Sequence, residues 1–268
     1  EMCIRDRVMI TLPWAAEQRI NGLVKRLRQM SVNVMLVPDM AALRYGHNRI
    51  TDVGGILMFN TSQLPLRGWS PFIKRCEDLL LASIGLLLLS PVMLATAIAI
   101  KLDSKGPVLF RQKRFGYNDN LIRVFKFRSM YVEQTDLNAE NQTTRQDPRI
   151  TRVGRIIRKT SIDELPQLFN VLLGNMSMVG PRPHATATKA AGVPFEQAVS
   201  EYSSRHRVKP GITGWAQING YRGETDTLFK IQKRVEYDLE YIAKWSVWLD
   251  LYIVFMTVPA VLSTKEVY

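Results

Sequence analysis

Two carboxylates stand side by side, Asp163 and Glu164 in TSIDELPQLFNVL, directly behind the basic run RVGRIIRKT. In a chain of 268 residues with a formal net charge of +12, an acidic pair behind arginines needs a reason. Two readings compete. Asp is a favoured N-cap, Ser161 and Glu164 have the spacing of a capping box, and Pro166 is tolerated only in a first turn. The pair then marks a helix beginning near Asp163 or Glu164, with Leu165, Leu168, Phe169 and Leu172 along one face. In the other reading the pair does chemistry. A carboxylate near Arg158, Lys159 and a helix N-terminus stays ionised, as a nucleophile must. A neighbouring Glu can hold Mg²⁺ on a diphosphate while arginines take the remaining oxygens. Arg149, Arg152, Arg155 and Arg158 recur every three residues, a stripe that would equally well face anionic lipid.

Further along, MSMVGPRPH sets Arg182 between Pro181 and Pro183. Prolines on both sides restrict the backbone, which either makes an ordinary turn or aims one guanidinium at a phosphate at little entropic cost. VKPGITGWAQING, residues 208–220, reads as a glycine-punctuated loop. Cys3 and Cys76 form neither a disulfide framework nor a CxxC site, so a reducing, cytoplasm-facing environment is expected. His47, His184 and His206 lack zinc-ligand spacing, so any metal is expected on oxygen, Mg²⁺ first and Mn²⁺ second.

The elements that must position these residues divide by composition. Residues 8–40 read as strand, helix, strand, with Ile20, Leu23, Val24 and Leu27 at helical spacing and no GxGxxG in the first turn. Residues 61–71 read as a linker. LLLASIGLLLLSPVMLATAIAI, residues 79–100, carries no charge and is long enough to span a bilayer core. A buried core helix is the competing reading. Basic residues flank both ends, Arg67, Lys74 and Arg75 before and Lys101, Lys105, Arg111, Lys113 and Arg114 after, so both flanks are expected in the cytoplasm. Ser90-Pro91 lies mid-run, where proline removes a backbone hydrogen bond. A helix that enters the inner leaflet, bends at Pro91 and returns satisfies both facts, with the Ser90 hydroxyl serving the bent backbone. GPVLFRQKRFG and LIRVFKFRSMYV form a hairpin turning at residues 118–120, and the polar run 133–148 is a loop. WSVWLDLYIVFMTVPAVL is either an interfacial helix with Trp245 and Trp248 at headgroup level or a core helix whose only charge is Asp250.

The sequence pI near 9.8 asks for a polyanionic neighbour, and nucleic acid, anionic membrane and phosphorylated substrate all qualify. A non-enzymatic, membrane-tethered nucleic-acid-binding module is the reading that charge alone favours. Recognition motifs for nucleic acid are absent, and the acidic pair would repel phosphates without a metal.

FKFRSM, TSIDELPQLFNVLLGNMSMVGPRP, RHRVKPGITGWAQING and RVEYDLEYI, in this order, resemble the bacterial sugar transferases known as monotopic phosphoglycosyl transferases, or polyprenyl-phosphate hexose-1-phosphate transferases. The likeness runs from about residue 71 to the C-terminus. It implies an α/β (α+β) catalytic domain over 103–268, anchored by a re-entrant membrane helix over 72–102 at the cytoplasmic face of the bacterial inner membrane. Residues 1–60 look like the tail of the Rossmann-like domain that precedes the catalytic part in long members, whose four N-terminal membrane helices are missing, and a start at Glu1 reads as a fragment. The implied reaction moves hexose-1-phosphate, glucose first and galactose as the alternative, from a UDP-hexose to undecaprenyl phosphate, releasing UMP. This is the priming step of exopolysaccharide synthesis of the colanic-acid type. The resemblance assigns Asp163 as nucleophile, forming a phosphosugar-aspartate, and Glu164 as the Mg²⁺ ligand. It puts phosphate or substrate contacts at Lys126, Arg128, Arg158 and Arg182, and the membrane kink at Ser90 and Pro91. Partners are the two substrates and membrane lipids, not nucleic acid; a homo-oligomer is compatible with it.

Overall fold

The charge-free run lies inside one 34-residue helix, α2 (Ser70–Asp103), in a computed structural model that describes residues 7–12, 16–37, 49–54, 56–62, 65–132, 147–184, 189–190, 193–194, 199, 202–221, 223 and 227–262. The chain separates into two units, up to Arg67 and from Gly68 onward. In the first, β1 (Arg7–Ile10), α1 (Glu17–Leu27) and β2 (Asn33–Leu36) make the expected strand, helix, strand, with β1 and β2 parallel. Ile20, Val24 and Leu27 pack on Ile10, Val34 and Leu36, while Leu23 faces outward. A hairpin of β3 (Arg49–Val53) and β4 (Ile56–Ser62) extends the sheet to the order β1-β2-β4-β3. The expected linker over 61–71 is therefore shorter, because β4 runs to Ser62 and α2 begins at Ser70.

In the second unit α2 buries one stripe along its length, at Lys74, Asp78, Ala82, Met93, Thr96 and Ile100. Its steps of three, four and eleven residues follow the helical repeat. Leu80, Leu87, Leu88, Leu94, Ile98 and Leu102 point away and are more than half exposed. Each such side chain gains about 1.5–3 kcal/mol on leaving water for hydrocarbon, so this surface calls for an apolar surrounding, and the buried-core-helix reading fails. The helix runs unbroken through Pro91. Proline at 91 has no N–H for the Leu87 carbonyl four residues back, and the Ser90 hydroxyl donates to that carbonyl at 3.0 Å instead.

Behind α2 the chain forms the expected hairpin of β5 (Leu109–Phe115) and β6 (Leu121–Phe127), turning through Asn118 and Asp119 at positive φ. Then come α3 (Arg152–Lys159), α4 (Gln167–Leu172) and β7 (Ser177–Val179), with the two-residue strands β8 (Lys189–Ala190) and β9 (Val193–Pro194) after them. β10 (Gly211–Thr213) pairs parallel with β7, and α5 (Trp215–Ile218), α6 (Leu228–Lys244) and α7 (Val247–Leu262) close the unit. The stretch 208–220, expected as a loop, is thus a strand and a short helix. Gly211 and Gly214 admit close backbone contact, a Cβ on Gly211 falling 2.1 Å from the Gly180 nitrogen, while Gly220 takes a turn at positive φ. Most of the polar run 133–148 lies outside the described residues.

α7 has two faces. Trp248 and Phe255 are exposed, while Ile253 and Asp250 are buried. Lys74 reaches Asp250 at 2.8 Å and Asp78 at 2.9 Å, and Tyr241 and Trp245 also donate to Asp250. The one charge of the C-terminal stretch is what fastens it to the root of α2.

Candidate active site

The acidic pair occupies a single 3-10 turn, Ile162–Glu164, between α3 and α4. Ser161 enters it in the left-handed region at φ 57°, a conformation uncommon for a residue other than glycine. The capping box does not form. Ser161 makes no side-chain cap bond, and α4 starts at Gln167, after Pro166. The buried face of α4 is Gln167, Leu168, Asn170 and Val171, and Phe169, expected inside, is exposed. Asn170 explains the shift in face. Fully buried, it donates to the Arg123 carbonyl at 2.7 Å and accepts from the Phe125 nitrogen at 2.9 Å, locking α4 to β6.

That lock sets Lys126 of β6 over the turn, where its Nζ donates to Glu164 Oε1 at 2.8 Å. Arg182 grips the same carboxylate with both terminal nitrogens, Nη1 to Oε2 at 2.9 Å and Nη2 to Oε1. Burial opposes the Glu164 charge, but Arg182 and Lys126 outweigh it and hold the carboxyl well below the usual range. Asp163 is treated differently. Among the described residues its side chain makes no direct hydrogen bond or ion pair. Burial and the adjacent Glu164 push it up to about 6, against the pull of Lys126, Arg158 and Arg182. This corrects the expectation that arginines and a helix N-terminus hold Asp163 firmly ionised. The helix that follows, α4, is short and begins past the turn, and Lys126 and Arg182 bond Glu164 instead. At neutral pH Asp163 is still charged, as the less stabilised member of the pair.

The basic stripe divides in the same way. Arg149 lies before α3 and pairs with Asp147, Arg152 and Arg155 are exposed, and only half-buried Arg158 acts on Asp163. Arg128 does not join the cluster. Its guanidinium is buried at the C-terminal end of α2, donating to the carbonyls of Lys105 and Ser104 at 2.7 and 2.6 Å. The several donors of one arginine suit the carbonyls at and just past a helix end, Ile100 at 3.3 Å among them.

Arg182 is held by its backbone. Successive carbonyls of the Pro-Arg-Pro loop accept from the Gly211 nitrogen at 3.0 Å, Arg205 Nη2 at 2.8 Å and Arg114 Nη1 at 3.2 Å. Prolines have no N–H to offer, so carbonyls are the handles available. Arg205 is fully buried and pairs with Asp238 at 2.6 Å. His184 packs between Arg205 and Arg234 and stacks on Tyr202. Burial first, then the charges of Arg205 and Arg234, keep His184 well below its ordinary value and hence neutral. Sequence reading missed Asn170, Arg114, Arg205 and Asp238. Asn170 had a signal, an amide between apolar Phe169 and Val171 in a helical run; the others meet only in the folded chain.

For a divalent cation the turn offers two adjacent carboxylates, one already bonded to two cations and one without a direct partner. That set is too small for a full protein cage. It fits Mg²⁺, which is commonly held by one or two carboxylates with substrate phosphates and water supplying the rest.

The family model described as Bacterial sugar transferase matches residues 69–264. The UDP-glucose:undecaprenyl-phosphate glucose-1-phosphate transferase of Escherichia coli (strain K12) is 48% identical over 261 residues, 97% of this chain and 55% of that protein. The undecaprenyl-phosphate glucose phosphotransferase of Komagataeibacter xylinus is 47% identical over 264 residues, 98% of this chain and 50% of that protein. The exopolysaccharide production protein PSS of Rhizobium leguminosarum bv. phaseoli is 49% identical over 191 residues, 71% of this chain and 96% of that protein. The chain spans about half the length of the first two relatives.

Proposed function

The chain belongs to the bacterial sugar transferase family, and on that premise we propose that it moves hexose-1-phosphate, with glucose the first candidate, from a UDP-hexose to undecaprenyl phosphate. The products are UMP and undecaprenyl-diphospho-hexose, the priming step of exopolysaccharide synthesis. The names carried by the relatives support the substrates. The observation that carries the chemistry is the division within the pair: Glu164 is gripped by Lys126 and Arg182 beside an Asp163 without a direct partner.

The reaction is a double displacement. An Asp163 oxygen attacks the β-phosphorus of the donor; the new oxygen–phosphorus bond forms as the bond to the bridging oxygen breaks, and that oxygen leaves with UMP. An oxygen of undecaprenyl phosphate then attacks the same phosphorus, the bond to Asp163 breaks, and the carboxylate is restored. Arg182, Lys126 and Arg158 neutralise the phosphoryl oxygens, the main demand of phosphoryl transfer. Mg²⁺, or Mn²⁺, held on Glu164 and the donor's diphosphate would offset the charge that builds on departing UMP.

The surroundings favour a re-entrant seat. α2 lies against one unit along its whole length with basic residues at both ends, and the exposed tryptophan of α7 suits the interface. On this reading the site sits at the cytoplasmic face of the inner membrane, with Ser90-Pro91, inside an unbroken α2, as the position at which the helix would bend in the bilayer. Single cysteines at positions 72 and 103 are expected to label from the same side in intact cells, and opposite sides would exclude the hairpin. The reaction is tested by incubating the full chain with UDP-glucose, Mg²⁺ and undecaprenyl phosphate, reading UMP, and searching for a phosphohexose adduct on Asp163 by mass spectrometry. Absence of UMP with every UDP-hexose, or an active Asp163→Asn variant, would end it.

A further inference from the structure

A groove of about 180 Å³ opens beside the acidic turn, with Glu164 and Ser161 at one end and walls of Leu165, Ile212, Ile218, Ala260 and Val261. Its hydroxyl neighbours are spent elsewhere. Thr160 donates to the Ile156 carbonyl at 2.9 Å, Thr257 to the Ile253 carbonyl at 2.6 Å, and Thr213 bonds Thr257 at 2.6 Å. Gln217 also borders the space, but its Oε1 is buried near Gly214 rather than presented to it. What the groove offers is hydrocarbon, and a hexose ring bearing several hydroxyls would find few partners there.

The two ends of the groove differ in chemistry. At one end stands Glu164, whose carboxylate Lys126 and Arg182 grip, the cluster that receives phosphate in the transferase reading. The far wall is α7, whose neighbouring residues Phe255 and Val258 are exposed apolar surface. A ligand that suits both is an anionic phosphate on a long apolar chain, leaving along α7 toward hydrocarbon. We propose that this groove takes the first isoprene units of the polyprenyl phosphate acceptor and so aims its phosphate at the phosphorus carried on Asp163. The proposal rests on the transferase reading and adds to it the place where the acceptor chain lies.

The two half-reactions separate the possibilities. In the full chain reconstituted in nanodiscs, UDP-glucose without acceptor is expected to give a stoichiometric burst of UMP, and added undecaprenyl phosphate to give steady turnover. Ala260→Phe, which fills the groove, is expected to keep the burst while raising the KM for undecaprenyl phosphate about tenfold or more. An unchanged KM overturns the proposal, since the groove then holds bulk phospholipid or nothing. A burst lost in a variant whose thermal unfolding matches the unmutated chain also overturns it, by giving the groove to the hexose. Should the variant not fold, a photoreactive isoprenoid phosphate with its label on the first unit decides the question in the unmutated chain. Labelling of residues 257–261 or 212–218 is expected, and labelling confined to α2 refutes the groove. An unmutated chain that gives no burst at all refutes the transferase reading, while the crosslink still reports on the groove.

Discussion

Replacing Asp163 by Asn should abolish transfer and, at the same time, stabilise the protein. Burial and Glu164 raise this carboxyl from the ordinary 3.8 to about 6, so the folded chain holds a charge that the unfolded chain holds more cheaply. The difference corresponds to at most about 3 kcal/mol at neutral pH, and partial solvent access brings the expected gain to about 1–3 kcal/mol. The sign of the pH dependence follows. A carboxyl whose folded value lies above its unfolded one takes up protons on folding, so its cost is full above 6 and fades as pH falls from 6 toward 4. At pH 5 roughly half of it should remain. For a unit of this size 1 kcal/mol moves the melting temperature by about 2–4 °C. Thermal unfolding of the purified chain in detergent at pH 7.5 and pH 5, for Asp163→Asn and the unmutated protein, reads both size and trend. A variant that is neutral or destabilised at pH 7.5, or a gain that does not shrink at pH 5, would show that Asp163 is not under the electrostatic load described.

Three more outcomes are expected. The kcat/KM for UDP-glucose should fall about tenfold per pH unit below about 6, as Asp163 protonates in the free enzyme, and a flat profile down to pH 5 would exclude it as the nucleophile. Lys74→Met should cost about 3–5 kcal/mol in chemical unfolding, because Asp78 and Asp250 are left facing each other without their shared cation, and a loss below about 1 kcal/mol would contradict the buried network. Arg205→Lys keeps a charge for Asp238 but loses the fork that also reaches the Arg182 carbonyl, so transfer should weaken about tenfold in a protein that still folds. Unaltered transfer would show that the Pro-Arg-Pro loop does not need that support.

What could be read from the chain was what repeats along it. The charge-free run, the βαβ spacing of residues 8–40 and the hairpin turning at 118–120 are local patterns, and each produced its element. The acidic pair was legible as a pair, yet its local signal pointed to the wrong geometry. Ser161 and Glu164 have capping-box spacing, but Lys126, 38 residues away, and Arg182 compete for the carboxylate and win by charge. Arg128 failed in the opposite sense. It shares a motif with Lys126, and strand alternation would put both on one face, but β6 ends at Phe127 and Arg128, beyond it, reaches the end of α2 instead of the turn. The supports of the site, Asn170, Arg205 and Asp238, are polar residues whose partners lie far off in sequence, so no spacing rule could name them.

Helix α2 and the acidic turn are mechanically one device. Asp103, the last residue of α2, accepts from the Val153 nitrogen in the first turn of α3 at 3.1 Å. Arg75, in the second turn of α2, donates to the last carbonyls of α4, Val171 at 2.6 Å and Leu172 at 2.8 Å. The acidic turn is the link between α3 and α4, so α2 holds both ends of the segment that carries Asp163. Between these anchors Met93 and Ile100 of α2 share a cluster with Phe127 and Ile157, against which Ile162 and Leu165 of the turn pack. In the membrane seat we propose, the depth at which the apolar faces of α2 settle fixes the height of the carboxylates relative to the headgroups. A soluble nucleotide sugar can arrive from any direction, but an acceptor phosphate is confined to one plane. In the reaction we propose, building the nucleophile onto α2 brings it to that plane without asking the lipid to leave.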